Sequence, residues 1–385
     1  MKIAFVTNTC EPIIGGVAVS VKTFSESLMR LGHQVVVFAP SYPNHRNNAN
    51  NIHRIASLPT NYKWYYPLPF PLVSTYQLLK ALKELSVDII HSHHPLWLGK
   101  AALSIARNDL KKPICFTYHT LYEEYAHYVP FSHVLQLKER IKNTVTDYCN
   151  NCDLVISPST TLATSLANRT NGRKNIQVLR TGISDRYIKI KHTFNPPAFI
   201  NRNNIDRHDP LFICVTRLTN EKNCEFLINS FFLIRSEIPR AKLVIIGGGH
   251  LESQLKKKVS LLGMSQSVIF TGYVTHEEVA GYYKISHVLL FVSLTETQGL
   301  PLTESLHFGL PIVALDSMAS KEMVGRLGTG VITRRIESEF ADAAVQMTCN
   351  AKLAKEYADH NKDASRNFLS DDLARCLVDM YQSVL

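Results

Sequence analysis

KIAFVTN (residues 2–8) and QVVVFAP (34–40), joined by a helix-length amphipathic stretch near 18–31, decide the fold. Each short run is apolar and rich in β-branched residues, as a strand covered on both faces must be. Strand, helix and strand in that order make a βαβ unit. The rhythm continues through DIIHSH (88–93), PICFTYH (113–119), DLVISPS (153–159) and IQVLRTG (176–182), each set off by a helical stretch. It falters between about 184 and 209, where KIKHTFNPPAFINRNNIDRHDP is rich in Asn and Pro and shows no sustained period. A second series then follows: LFICVTRL (211–218), AKLVIIGGG (241–249), SVIFTGYV (267–274), HVLLFVSL (287–294) and PIVALD (311–316). The pattern predicts an α/β protein with two Rossmann-like, doubly wound parallel-sheet domains, over 1–190 and 209–365. Residues 339–385 read as helical throughout, and 366–385 as a C-terminal helix able to cross back to the first domain. Ligands of open parallel sheets bind at the carboxyl ends of the strands, so two such domains facing each other place a site in the cleft between them.

Composition narrows the class. At 385 residues the chain is long for one core, and 45% hydrophobic with 19% charged residues is ordinary for a globular protein. The first residues turn polar too soon for a signal peptide, and nowhere do 18 uncharged apolar residues run together. Any membrane contact is therefore expected to be peripheral. The eight cysteines lie mostly within apolar runs, which favours reduced thiols and the cytoplasm. Cys149 and Cys152 form an isolated Cys-x-x-Cys pair, weak as a metal or redox signal. The net charge of +10 is one-sided: residues 1–195 carry 22 Lys and Arg against 11 Asp and Glu, and residues 196–385 carry 20 against 21. A basic half attracts polyanions, among them an anionic membrane surface. No aromatic and basic recognition motif accompanies it, so nucleic acid is not expected as a partner.

Several residues stand where chemistry is expected. Gly15 and Gly16 precede the first helix, where backbone amides can meet an anion such as a diphosphate. Arg217 and Lys222 follow a strand in RLTNEKN and would neutralise a leaving diphosphate; solvated loop charges are the plainer reading of the pair alone. In SLTETQGLPLTESLHFGLPIVALD (293–316), Glu296 and Glu304 flank Gly299-Leu300-Pro301. Carboxylates accept hydrogen bonds from sugar hydroxyls, while amides near Gly299 can meet phosphate or sugar oxygens. Glu304 alone would also be favoured by a helix dipole. His91, His93 and His94 form a cluster that could suggest a metal.

The order of these motifs, namely GG after the first strand, FTYHT, RL with its lysine, IIGGG, TGYV, TETQGLPLTESL and GLPIVALD, resembles glycosyltransferase family 4 over nearly the whole chain. The resemblance implies the GT-B fold, an acceptor-binding first domain, a donor-binding second domain, and hexosyl transfer with retention of anomeric configuration. It implies that Arg217 and Lys222 hold the donor's β-phosphate, Glu304 the ribose hydroxyls and Glu296 the hydroxyls of the transferred sugar. Gly15, Gly16, Gly248, Gln298, Gly299 and Leu300 would line the donor, with Tyr273 near the base, and His119 would orient the sugar at its C6 hydroxyl. Enzymes of this kind work without metal or other cofactor. The family often has Phe-Gly where this chain has Gln298-Gly299, and Glu-Ala where it has Glu304-Ser305.

TYHTLYEEYAHYVP (117–130) with TETQGLPLTE looks like the branch containing bacterial diacylglycerol glucosyltransferases. That branch implies UDP-glucose as donor, a membrane lipid as acceptor and a place on the inner face of the membrane. Candidate membrane or acceptor contacts are Trp64, Tyr65, Tyr66 and Phe70 in YKWYYPLPFP, and Lys138, Arg140 and Lys142 in a helix near 133–147. Packing of the aromatic loop onto its own domain stays open. So do a soluble glycan, metabolite or protein as acceptor, a sugar-nucleotide epimerase, and an inactive partner protein that has kept the fold.

Overall fold

The computed structural model describes residues 1–13, 15–42, 50–58, 70–71, 75–124, 136–170, 172, 175–184, 187, 196–203, 205–206 and 208–385. The chain divides into two compact units, Met1–Gly182 with Ser370–Leu385, and Ile183–Leu369.

In the first unit, strands β1 (Lys2–Val6), β2 (Gln34–Pro40) and β3 (Ile52–Ile55) are followed by a short antiparallel ribbon of β4 (Ser57–Leu58) and β5 (Phe70–Pro71). Then come β6 (Ile89–Ser92), β7 (Ile114–Thr117), β8 (Leu154–Ser157) and β9 (Ile176–Val178). The main sheet runs β3-β2-β1-β6-β7-β8-β9, all parallel, with Phe5 set between Val37 and His91. Helix Gly16–Arg30 buries Val21, Phe24 and Leu28 at three- and four-residue spacing against this sheet. Helix Ser370–Gln382 adds Ala374, Leu377 and Tyr381 to the same core, and Asp371 pairs with Arg30 at 2.5 Å.

The second unit is built from β10 (Leu211–Val215), β11 (Lys242–Ile246), β12 (Val268–Gly272), β13 (Val288–Phe291), β14 (Ile312–Leu315) and β15 (Gly330–Thr333). Its order is β12-β11-β10-β13-β14-β15, again parallel. The period of two puts Leu243 and Ile245 into one core and Val244 and Ile246 into the other, so both faces are covered.

Two expectations need correction. The stretch around 184–209 contains helix Pro196–Arg202, which a period search misses because it is short and held by packing: Phe199 meets Tyr282 edge to face at 4.8 Å. The tail is helical nearly throughout, as expected, in the segments Glu337–Cys349, Ala351–Ser365, the 3₁₀ turn Arg366–Phe368 and Ser370–Gln382. Asn350 begins the second by accepting from the Leu353 amide at 3.1 Å, since a short polar side chain competes for backbone donors. The units divide at 182/183 and 369/370, not at 190 and 365, because Ile183 and Tyr187 are apolar and join the second core. The Ile183 amide donates to the Phe368 carbonyl at 2.7 Å, tying the two crossings together.

Candidate active site

In the second sheet the strand order reverses between β10 and β13, and the loops leaving these two neighbours diverge. Such a switch point opens a crevice at the carboxyl edge. Arg217 follows β10, and Lys222 ends the 3₁₀ turn Asn220–Lys222. Glu296 follows β13. The structure therefore brings the neighbouring Arg217 and Lys222 together with Glu296, which lies 74 residues beyond Lys222 in the chain. Lys222, only 4% exposed, binds the Glu296 carboxylate and reaches Ser293 Oγ at 3.5 Å. Arg217 pairs with Glu221 at 3.2 Å, and Thr219 donates to the same Glu221 oxygen at 2.7 Å. Burial works to raise the Glu296 carboxyl, but the Lys222 ammonium and then the Arg217 guanidinium outweigh it and hold the carboxyl below its ordinary range. At neutral pH this is a carboxylate among cations, able to accept from hydroxyls while the guanidinium meets an anion.

Glu304 stands in a different setting. Its side chain accepts from the Tyr283 hydroxyl at 3.0 Å, and the Tyr187 phenol lies beside it. The Tyr187 hydroxyl also meets His276 Nδ1 at 3.1 Å. Burial pushes the Glu304 carboxyl up to about 7, against the two phenols that lower it. Between the two acids, Gln298 donates to Thr303 Oγ1 at 3.1 Å, and Gly299 opens helix Leu300–His307 at a φ of 75°. A side chain at Gly299 would be strained there and would press on Phe291 at 3.0 Å. Tyr273 donates to the Gly248 carbonyl at 3.0 Å, joining the ends of β11 and β12, and a Cβ at Gly248 would lie 2.8 Å from the tyrosine ring.

The first sheet reverses between β1 and β6. Gly15 and Gly16 begin the helix after β1; Gly15 has an extended backbone, and a Cβ there meets no described atom within 4 Å. His94 accepts from the Asn8 amide at 3.1 Å, and so belongs to the β1 loop's own hydrogen bonding. His119, after β7, lies 3.0 Å from His93, and burial pushes its imidazole down to about 3. The turn beyond it is fastened by Glu123, which accepts from Tyr118 and Arg169 at 2.8 Å each.

Of the expected membrane contacts, Trp64, Tyr65 and Tyr66 lie outside the described residues, and Phe70 is described by its backbone in β5. Lys138 and Lys142, on helix Leu137–Asn150, pair with Glu124 at 2.8 Å and Glu139 at 3.5 Å; Arg140 is exposed. Among the described residues no helix is long and apolar enough to cross a membrane. Sequence reasoning missed Glu221, Tyr283, Tyr187 and Tyr381. Glu221 could have been found, as an acid between two cations in RLTNEKN; the tyrosines give no signal because their partners are remote in the chain.

Comparison with known proteins gives matches over both units. The family described as Glycosyltransferase Family 4 matches residues 14–187, and Glycosyl transferases group 1 matches residues 197–363. The alpha-monoglucosyldiacylglycerol synthase of Streptococcus pneumoniae is 31% identical over 339 residues, covering 86% of this chain and 76% of that one. The enzyme of the same name from Acholeplasma laidlawii is 29% identical, with 81% and 80% covered. Among solved structures, Anabaena HepE in complex with UDP and glucose superposes with a TM-score of 0.78 at 17% identity over the whole of both chains. Sucrose-phosphate synthase from Thermosynechococcus elongatus reaches 0.78 at 17% identity, with 100% and 99% covered. The two parallel sheets are thus those of the GT-B fold, and this chain is a glycosyltransferase that belongs to glycosyltransferase family 4.

Proposed function

We propose that the protein moves glucose from UDP-glucose to a membrane lipid such as diacylglycerol, with retention, while docked on the anionic inner face of the membrane. The observation that carries the transfer chemistry is the buried Lys222 paired with Glu296 beside Arg217 at the switch point of the second sheet. The lipid acceptor is supported by the likeness to two alpha-monoglucosyldiacylglycerol synthases.

In this reading Arg217 and Lys222 stabilise the charge that grows on the leaving diphosphate. Glu296 accepts from the sugar's hydroxyls and Glu304 from the ribose, with Gly16, Gln298, Gly299 and Leu300 along the donor and Tyr273 and Gly248 beside the base. The open space at Gly15 suits close approach of an anion to the helix amides. The bond from the anomeric carbon to the phosphate oxygen breaks as the acceptor hydroxyl oxygen bonds the same face of that carbon. The hydroxyl proton passes to the leaving phosphate, so no side-chain nucleophile and no metal is needed. Exposed pairs such as Lys138 with Glu124 are weak in water, and lysines so held can exchange a carboxylate for lipid phosphates.

The test is a panel of UDP- and GDP-sugars offered with diacylglycerol vesicles and with free sugars, read by product mass, together with flotation on anionic vesicles. A lipid product heavier by one hexose from UDP-glucose is expected, along with co-flotation. A product on free sugars alone, or an epimerised donor in the absence of acceptor, overturns the reading.

A further inference from the structure

Three imidazoles form one row in the first unit. His91 and His93 stack with ring centroids 4.3 Å apart and planes at 24°, and His93 and His119 meet edge to edge with centroids 5.2 Å apart and planes at 21°. At one end of the row, His91 Nδ1 lies 2.5 Å from the Tyr381 hydroxyl and Nε2 lies 2.7 Å from Thr117 Oγ1, so both of its nitrogens are used. At the other end, His93 Nδ1 faces His119 Nε2 at 3.0 Å. His93 is 1% exposed, and its Nε2 is buried without a hydrogen-bond partner among the described residues. Burial, and then the neighbouring imidazoles, hold His93 well below its ordinary pKa; burial does the same for His119.

A neutral imidazole carries one proton, and the bond between the two rings uses one. Two arrangements exist. If His119 donates from Nε2, the proton of His93 must sit on its partnerless Nε2, leaving a buried N–H with no acceptor. If His93 donates from Nδ1, what stays unmatched is a lone pair, and buried donors are left unmatched less often than acceptors. His119 then carries its own proton on Nδ1.

We propose that His93 is a positioning residue that fixes His119 in its Nδ1–H tautomer, so that the nitrogen His119 turns to other partners is a hydrogen-bond donor. His91, clamped by Tyr381 and Thr117, holds the stack on which His93 rests. The consequence for catalysis rests on the reading of His119 as a group that orients the donor sugar; the tautomer itself does not.

The experiment is long-range proton–nitrogen NMR on the intact protein labelled with ¹⁵N-histidine, the His119 signals being assigned with His119→Gln. In the wild-type protein His119 is expected as the Nδ1–H form. His93→Phe keeps a flat ring in the stack but removes the donor, and should move His119 to the Nε2–H form; in His93→Asn, whose side-chain N–H can stand where Nδ1–H stood, the Nδ1–H form should return. Transfer from UDP-glucose should lose about tenfold or more in kcat in His93→Phe, and His93→Asn should recover part of that loss. An Nε2–H form of His119 in the wild-type protein, or an unchanged tautomer in His93→Phe, overturns the proposal. If the wild-type protein transfers no sugar, the functional reading fails on that result, while the NMR spectra still decide the tautomer.

Discussion

Lys222 binds Glu296 across 74 residues of sequence, the ammonium nearly sealed from solvent and the carboxylate half-buried at the rim. The pair is asymmetric: removing the acid strands a buried cation, whereas removing the cation leaves an acid that water can reach. Glu296→Ala should therefore destabilise the second unit by about 3 kcal/mol, the low end of the range for breaking a buried pair because the carboxylate is partly exposed. Lys222→Met should be milder in stability, yet should lower transfer by about a hundredfold or more, as expected for losing a cation aimed at developing charge. Urea denaturation and steady-state rates on the same preparations separate the two effects. Full activity in either variant would defeat the assignment.

Glu304 makes stability depend on pH. Its folded-state pKa of about 7 lies above the ordinary 4.5, so the folded protein binds this proton more tightly than the unfolded chain does. The resulting stabilisation is fully present below about pH 4.5 and is lost as pH rises through 7. A gap of this size amounts to roughly 3 kcal/mol. Glu304→Gln mimics the protonated acid and removes the dependence. Relative to wild type, the variant should gain stability between pH 5 and pH 8, measured by urea titration at both values; parallel curves would exclude a raised pKa.

The sheets were legible because a strand covered on both faces has to be apolar along its length, and few other elements in this chain look like that. β3 escaped notice because His53 and Arg54 break its apolar run, and β15 because it is only four residues long and begins with Gly330. Arg217, Lys222 and Glu296 were legible as types at strand ends, and their meeting follows from β10 and β13 being neighbours. What the sequence could not show is what each side chain does before a ligand arrives: Glu221 on Arg217, Tyr283 on Glu304, His93 on His119. Those contacts depend on pairings between remote elements, and no local period encodes them.

Glu123 and Arg169 form an ion pair in the first unit with little exposure at either partner, and Tyr118 donates to the same carboxylate. Together they fasten the turn that begins at His119. Glu123→Leu alone leaves a buried guanidinium and should cost about 3 kcal/mol or more. Glu123→Leu with Arg169→Met removes both charges and should regain most of that loss. Urea denaturation of the two single variants and the double variant gives the coupling directly. A double variant whose loss equals the sum of the two single losses would mean that the pair contributes little beyond its packing.

Helix Ser370–Gln382 lies beyond the second unit in sequence but packs in the first, with Leu377 fully buried beside Phe24 and Leu28. Leu377→Ala should therefore weaken the first unit by about 2–5 kcal/mol, the range for a buried leucine truncated to alanine. Of the described residues Trp97 is the tryptophan, and it lies in the first unit, so in a Trp64→Phe background intrinsic tryptophan fluorescence follows that unit. Tyr283, buried in the second unit with Phe308 stacked on it at 5.4 Å, contributes to a near-ultraviolet signal from the other. In urea, the fluorescence transition of Leu377→Ala should move to lower concentration. Loss of the second unit's signal first, with fluorescence unchanged, would show that the helix stabilises the wrong unit for this account, and Tyr381 would then have no fixed place beside His91.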